Sequence, residues 1–145
     1  MASTSTYLSF DRNTEEAFAF YKKIFRTEYM GEIFRMSSVP PQPGQPALAE
    51  AEQNLIMHMA LPILGGHVLM GTDTSAIMGS KVTFGNGMQL NLQPDTRVET
   101  DRLFTELSEG GKVGYPMKEE FWGDYFGSCT DRFGVKWMFN CAEKK

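Results

Sequence analysis

The second half of this chain repeats the pattern of its first half, and that repeat limits the folds open to it. In each half an apolar strand runs into an amphipathic helix and is followed by further strands. Tyr7-Leu8-Ser9-Phe10 leads into a helix carrying Ala17, Phe18, Phe20, Tyr21, Ile24 and Phe25. Met88-Gln89-Leu90-Asn91-Leu92 leads into a helix carrying Val98, Leu103, Phe104 and Leu107. Each half closes on a similar hairpin, Gly65–Met70 in the first and Phe133–Met138 in the second. The pattern predicts an α+β chain of two tandem βαβββ modules, about 4–72 and 86–142, forming one domain with a cup-shaped mixed sheet. With 145 residues there is enough chain to bury a core without disulfide staples.

The local signals fill in this outline. Residues 5–10 alternate as a half-buried strand does. Asn13 or Thr14 caps the first helix, and Glu15 and Glu16 sit favourably in its first turn. A second strand is expected over 28–38. Four prolines and a glycine within 39–46 then exclude regular structure, and a short helical turn follows over 47–53. This loop is either a surface excursion or a flap over a cavity mouth. Leu55–Ile63 and Val68–Thr72 read as strands joined at Gly65-Gly66. A connector of little apolar periodicity, expected to be mobile, spans 73–86. In the second half Met88, Leu90 and Leu92 should face the helix, leaving Gln89, Asn91 and Gln93 on a polar face. Pro94-Asp95-Thr96 starts the second helix and Gly110 ends it. Three more strands follow, around 113–115, 125–130 and 136–140.

Charge and composition narrow the function. The net charge is −4 and no basic stripe is present, which argues against nucleic acid. No apolar run approaches the ~20 residues that span a bilayer, and the N-terminus lacks the pattern of a signal peptide, so a cytoplasmic location is expected. Cys129 and Cys141 form no CxxC motif and are expected as reduced, partly buried thiols.

The duplicated unit resembles the vicinal oxygen chelate superfamily of glyoxalase, bleomycin-resistance and dioxygenase proteins. Three stretches resemble its PhnB-like branch, often called 3-demethylubiquinone 3-methyltransferase-like. They are Tyr7–Phe10 through Glu15–Phe18 to Tyr21, Met57–Ala60 through Val68–Met70 to Asp73, and Phe121-Trp122-Gly123 through Thr130–Val135 to Trp137–Cys141. The resemblance implies a homodimer and a divalent metal bound by His, Gln or Glu from four strands, acting as a Lewis acid. Here those positions fall at Tyr7 (or Thr6 if the strand bulges), Met70, Gln89 and Met138, and Gln89 alone is suited to a hard ion. No resident cofactor is therefore expected, although the expectation stops short of excluding a divalent metal. Methyl transfer is not expected either, because Gly65-Gly66 joins two strands and no Gly-rich strand-to-helix turn is present. Nor does an Arg or Lys cluster fall on the cup to receive a phosphonate.

Candidate site residues follow from the same alignment. His58 is the best available general base if it lines the cavity, and Asp73 either orients it or a ligand or serves as a helix or turn cap. His67, at a hairpin turn, is expected to face solvent. Tyr7, Met70, Gln89, Asn91, Trp122, Tyr125 and Met138 are candidate ligand-binding residues, the aromatics because small-molecule sites favour aromatic walls. Three readings stand: a small-molecule-binding protein without the usual metal ligands, a lyase or isomerase working through His58 or an unrecognised metal site, and a structural or regulatory dimer with a Met-filled core.

Overall fold

The computed structural model describes residues 1–40, 43–44, 47–74 and 81–145. Parts of the proline-rich loop and of the 73–86 connector thus lie outside the described residues. The chain divides into two compact units, Met1–Val82 and Thr83–Lys145.

In the first unit, β1 (Thr6–Asp11) leads to α1 (Thr14–Phe25), then β2 (Phe34–Arg35), α2 (Glu50–Gln53), β3 (Ile56–Pro62) and β4 (Val68–Thr74). The strands lie in the order β1-β4-β3-β2, with β1 and β4 parallel and the other pairs antiparallel. Tyr7 stands opposite Met70, and Met70 opposite Ala60. Because a strand alternates its side chains, one face of this sheet meets α1 and the other does not. Phe10, Met59, Leu61 and Leu69 are buried with Phe18, Tyr21 and Ile24 of the helix, and Phe10 meets Phe18 edge to face. Arg26 ends α1 in the left-handed conformation usual at such a cap.

The second unit repeats the topology. It holds β5 (Leu90–Leu92), α3 (Arg97–Ser108), β6 (Lys112–Val113), β7 (Lys118–Glu119), β8 (Tyr125–Thr130) and β9 (Lys136–Cys141). The order is β5-β9-β8-β6, with β7 also pairing β8, and β5 and β9 are the parallel pair. Thr96 caps α3 by accepting from the Glu99 N–H. Leu103 and Leu107 are buried with Leu92, Trp137 and Phe139, and Phe104 meets Phe139 edge to face.

Three expectations are corrected. The second strand, expected over 28–38, is only two residues long, with Gly31 at positive φ just before it and a 3-10 turn over Met36–Ser38 just after it. Met88 is 86% exposed rather than packed on the helix, because β5 begins two residues later. Finally, β4 runs on through Asp73 and Thr74, which the sequence reading gave to the connector.

Gly71 fixes how closely α1 lies on β4. A Cβ built there would stand 2.7–2.9 Å from Phe18 and Thr14. Gly71→Ala is therefore expected to cost about 1–3 kcal/mol through overpacking, measured as a lowered denaturation midpoint.

Candidate functional site

The candidate residues sort by sheet face. In the first unit Gly71 faces α1 and stands opposite Met59, so their neighbours Met70, Thr72, His58 and Ala60 lie on the uncovered face. Tyr7 and Ser9 join them from β1, opposite Met70 and Thr72. The Tyr7 Oη and the Nδ1 of His58 are 3.0 Å apart, and their rings lie 5.7 Å apart at a 40° tilt. Burial pushes the Tyr7 phenol pKa up. The Ser5 hydroxyl donates to the Met70 sulfur at 3.7 Å. Phe34 stands opposite His58 and is exposed.

Asp73 lies on the other face. Its Oδ1 accepts the Thr14 N–H at 2.9 Å and its Oδ2 accepts the Ile56 N–H at 2.7 Å. It thus ties the start of α1 to β3, and its carboxylate is turned away from His58. Of the roles open to Asp73 in the sequence, the contact at the start of α1 is that of a cap, and it is Tyr7 that meets His58. His67, expected in solvent, is partly buried, with Nε2 2.8 Å from the Thr6 hydroxyl.

In the second unit the uncovered face carries Asn91, Met138 and Ser128 in one paired row. Asn91, not Gln89, stands opposite Met138, so Asn91 corresponds to Tyr7 opposite Met70. Gln89 is exposed, one residue before β5. Phe126 and Asn140 form the next row of that face. Trp122 packs edge to face on Phe126 at 6.0 Å, Phe121 packs on Trp122 at 5.1 Å, and Tyr115 approaches Phe126 at 6.4 Å. The Asn140 amide donates to Asp124, and this bond, with the Lys144 ammonium, holds the Asp124 carboxyl below its usual pKa.

Tyr125 departs from its expected place. It alternates with Phe126 and turns toward α3, where its hydroxyl donates to Asp101 at 2.5 Å and the Arg97 guanidinium lies 4.8 Å from the ring centre. The structure therefore does not group it with Asn91, Met138 and Trp122. Phe126, which sequence reasoning passed over, takes that side. Strict alternation from Ser128 would have found it.

The donor chemistry at the four superfamily positions does not fit a hard divalent ion. Tyr7 offers a phenol whose pKa partial burial raises, Met70 and Met138 offer thioethers, and Asn91 or Gln89 offers a neutral amide. Among the described residues no three His, Cys, Asp or Glu side chains are grouped to hold a metal.

This architecture is the glyoxalase/bleomycin-resistance fold. A glyoxalase/bleomycin resistance protein/dioxygenase family enzyme from Burkholderia phytofirmans PsJN covers 95% of this chain and 98% of its own at a TM-score of 0.60, and at 16% identity that likeness speaks for the fold alone. Residues 2–139 match the 3-demethylubiquinone-9 3-methyltransferase family, and the chain belongs to that family. It is 29% identical to Protein YjdN of Escherichia coli K12 over 97% of this chain and 96% of that protein. The protein PA1353 from Pseudomonas aeruginosa is 33% identical over the whole of both chains, with a TM-score of 0.78. The PhnB protein from Bacillus cereus is 25% identical over 97% of this chain and all of its own, with a TM-score of 0.75. No helix among the described residues is long and apolar enough to cross a membrane.

The contact between Tyr125 and Asp101 sets a measurable titration. Hydrogen bonding to Asp101, then burial, pushes the Tyr125 phenol from 10.0 up to about 12. The folded chain holds this proton more tightly than the unfolded chain does. Stability therefore falls as pH rises from about 10 to about 12. Asp101→Asn should lower the pKa of this one tyrosine, seen in the ultraviolet absorbance titration of the folded protein.

Proposed function

We propose that this protein binds a small organic molecule without the divalent metal of its superfamily, and that the strand faces left uncovered by α1 and α3 supply the contacts. One observation carries the reading. Where the superfamily places metal ligands, the two uncovered faces present neutral hydrogen-bonding and soft apolar groups: Tyr7 with His58 and Met70 on one, Asn91 with Met138 on the other. Such a set recognises shape and a few polar atoms, which is how small-molecule sites discriminate. Trp122 and Phe126 add aromatic surface beside the second set. Met side chains adapt to irregular ligands. In this reading the two modules act as one domain, the protein is cytoplasmic, and it works as a homodimer. Methyl transfer is outside it, because Gly65-Gly66 lies between β3 and β4 and no Gly-rich strand-to-helix turn is in the sequence.

The test joins metal analysis of natively purified protein to a thermal-shift screen with Ni²⁺, Zn²⁺, Mn²⁺ and a metabolite library. Sub-stoichiometric metal and a shift from a specific organic compound are expected. Stoichiometric metal, or no compound that shifts the transition, would overturn the reading. Trp122 provides a second readout. It is 48% exposed while Trp137, the only other tryptophan, is fully buried. The compound found should change the emission of the wild type and leave that of Trp122→Phe nearly unchanged. For the dimer, sedimentation should give twice the 16.3 kDa of one chain.

A further inference from the structure

A hydrogen bond between a phenol and a neutral imidazole runs in one of two directions. The O–H donates to the lone pair of Nδ1 and the ring proton sits on Nε2, or Nδ1–H donates to the phenol oxygen and Nε2 keeps the lone pair. For Tyr7 and His58, 3.0 Å apart, the chemistry selects the first. A phenol is a far stronger acid than a neutral imidazole N–H, and an imidazole nitrogen is a stronger acceptor than a phenol oxygen. The phenol is half-exposed, and the desolvation it does undergo raises its pKa, which favours the protonated form. The Nε2–H form is, besides, the one a free neutral imidazole side chain favours.

The surroundings limit what Nε2–H can meet. His58 lies on the uncovered face with Tyr7, Ser9, Met70 and Thr72, and opposite Phe34. The strands β1, β3 and β4 contain no lysine or arginine. Arg35, beside Phe34 on β2, is held by the two oxygens of Glu15 at 3.0 and 2.8 Å. A carboxylate or phosphate would thus meet no cation from these strands, whereas a neutral oxygen needs only a donor. Phe34 and Met70 add apolar surface.

We infer that Tyr7 fixes neutral His58 as its Nε2–H tautomer, so that His58 meets a ligand as a hydrogen-bond donor and the face takes a neutral carbonyl or amide oxygen. This rests on the binding reading above and deepens it. Tyr7 is then a positioning residue. It also turns His58 away from base chemistry, since the other ring nitrogen, Nε2, then carries a proton and has no lone pair with which to remove one.

The chain has only two histidines, so both rings can be followed by long-range 1H–15N correlation in uniformly labelled protein, with His58→Gln giving the assignment. At about pH 8, where an unperturbed imidazole is neutral, the wild type should show a protonated Nε2 and a pyridine-type Nδ1 at His58. A pyridine-type Nε2 would overturn the inference, and this spectrum alone decides the tautomer whether or not any variant folds. Tyr7→Phe should move both His58 nitrogens toward the tautomer average while His67, paired with Thr6, stays in place; unmoved His58 nitrogens would show that Tyr7 does not set the tautomer. Acetophenone and ethylbenzene then test the ligand class, because they differ by one carbonyl oxygen. Millimolar acetophenone should shift the His58 Nε2 resonance at least threefold more than ethylbenzene does. Equal shifts, or none with acetophenone, would overturn the acceptor-oxygen assignment. A library compound that stabilises a protein with the other tautomer would sink this inference and leave the binding reading standing. The expected tautomer with no stabilising compound would do the reverse.

Discussion

The parallel pairing of the first and last strand in each module is the constraint from which the rest follows. Parallel neighbours cannot be joined by a tight turn, so the chain must cross over before it returns. In both modules a helix lies within that crossover, and its apolar stripe covers one sheet face. Phe18 and Tyr21 in the first module, and Leu103 and Leu107 in the second, are buried on that side. Each contributes about 1.5–3 kcal/mol through the water it excludes. The opposite face gains no cover from its own helix. It is there that Tyr7, His58 and Met70, and Asn91 and Met138, are displayed.

Around Tyr7, His58 and Met70, and around Asn91 and Met138, the chemistry is that of neutral groups, while Asp11 shares the first face at the end of β1 and Lys136 shares the second at the start of β9. Several charges of both modules are paired elsewhere. Arg35 holds Glu15, Arg97 holds Glu119, and Arg102 bridges Glu99 and Glu106 along α3. In the proposed function, a set of phenol, imidazole, amide and thioether groups distinguishes ligands by the direction of a few hydrogen bonds and by fit.

Legibility followed the range of the interaction that settles each feature. The two long helices depend on apolar spacing within a turn or two, and the sequence carries them openly, as it does the repeated strand-to-helix pattern. Asn13, by contrast, expected as a cap of α1, makes no side-chain cap hydrogen bond. Features settled by pairing across the sheet were harder to read. Asn91 rather than Gln89 stands opposite Met138 because β5 is only three residues long and its register is set by β9. Tyr125 and Phe126 are adjacent aromatics, and only the position of β8 against β9 decides which of them meets α3. The bond between Tyr7 and His58 joins residues 51 positions apart and needs two successive strand registers to be known. The Asp73 carboxylate could be read as a cap or as a site residue from its place at a strand end, and its two buried backbone partners settle that it acts as a tie.

The two modules hold themselves together with buried carboxylates at different places. In the first, Asp73 sits near the end of the last strand and gathers the start of α1 and β3. In the second, Asp131 sits in the turn before the last strand, where it accepts from the Phe133 and Val135 backbones and from the Trp137 indole. The position that corresponds to Asp73 in the second module is occupied by Cys141, three residues past Met138 as Asp73 is three past Met70. The halves therefore share a blueprint without sharing a fastening. A duplicated fold of this kind is free to diverge one half at a time, since a change at one fastening leaves the other half's own intact.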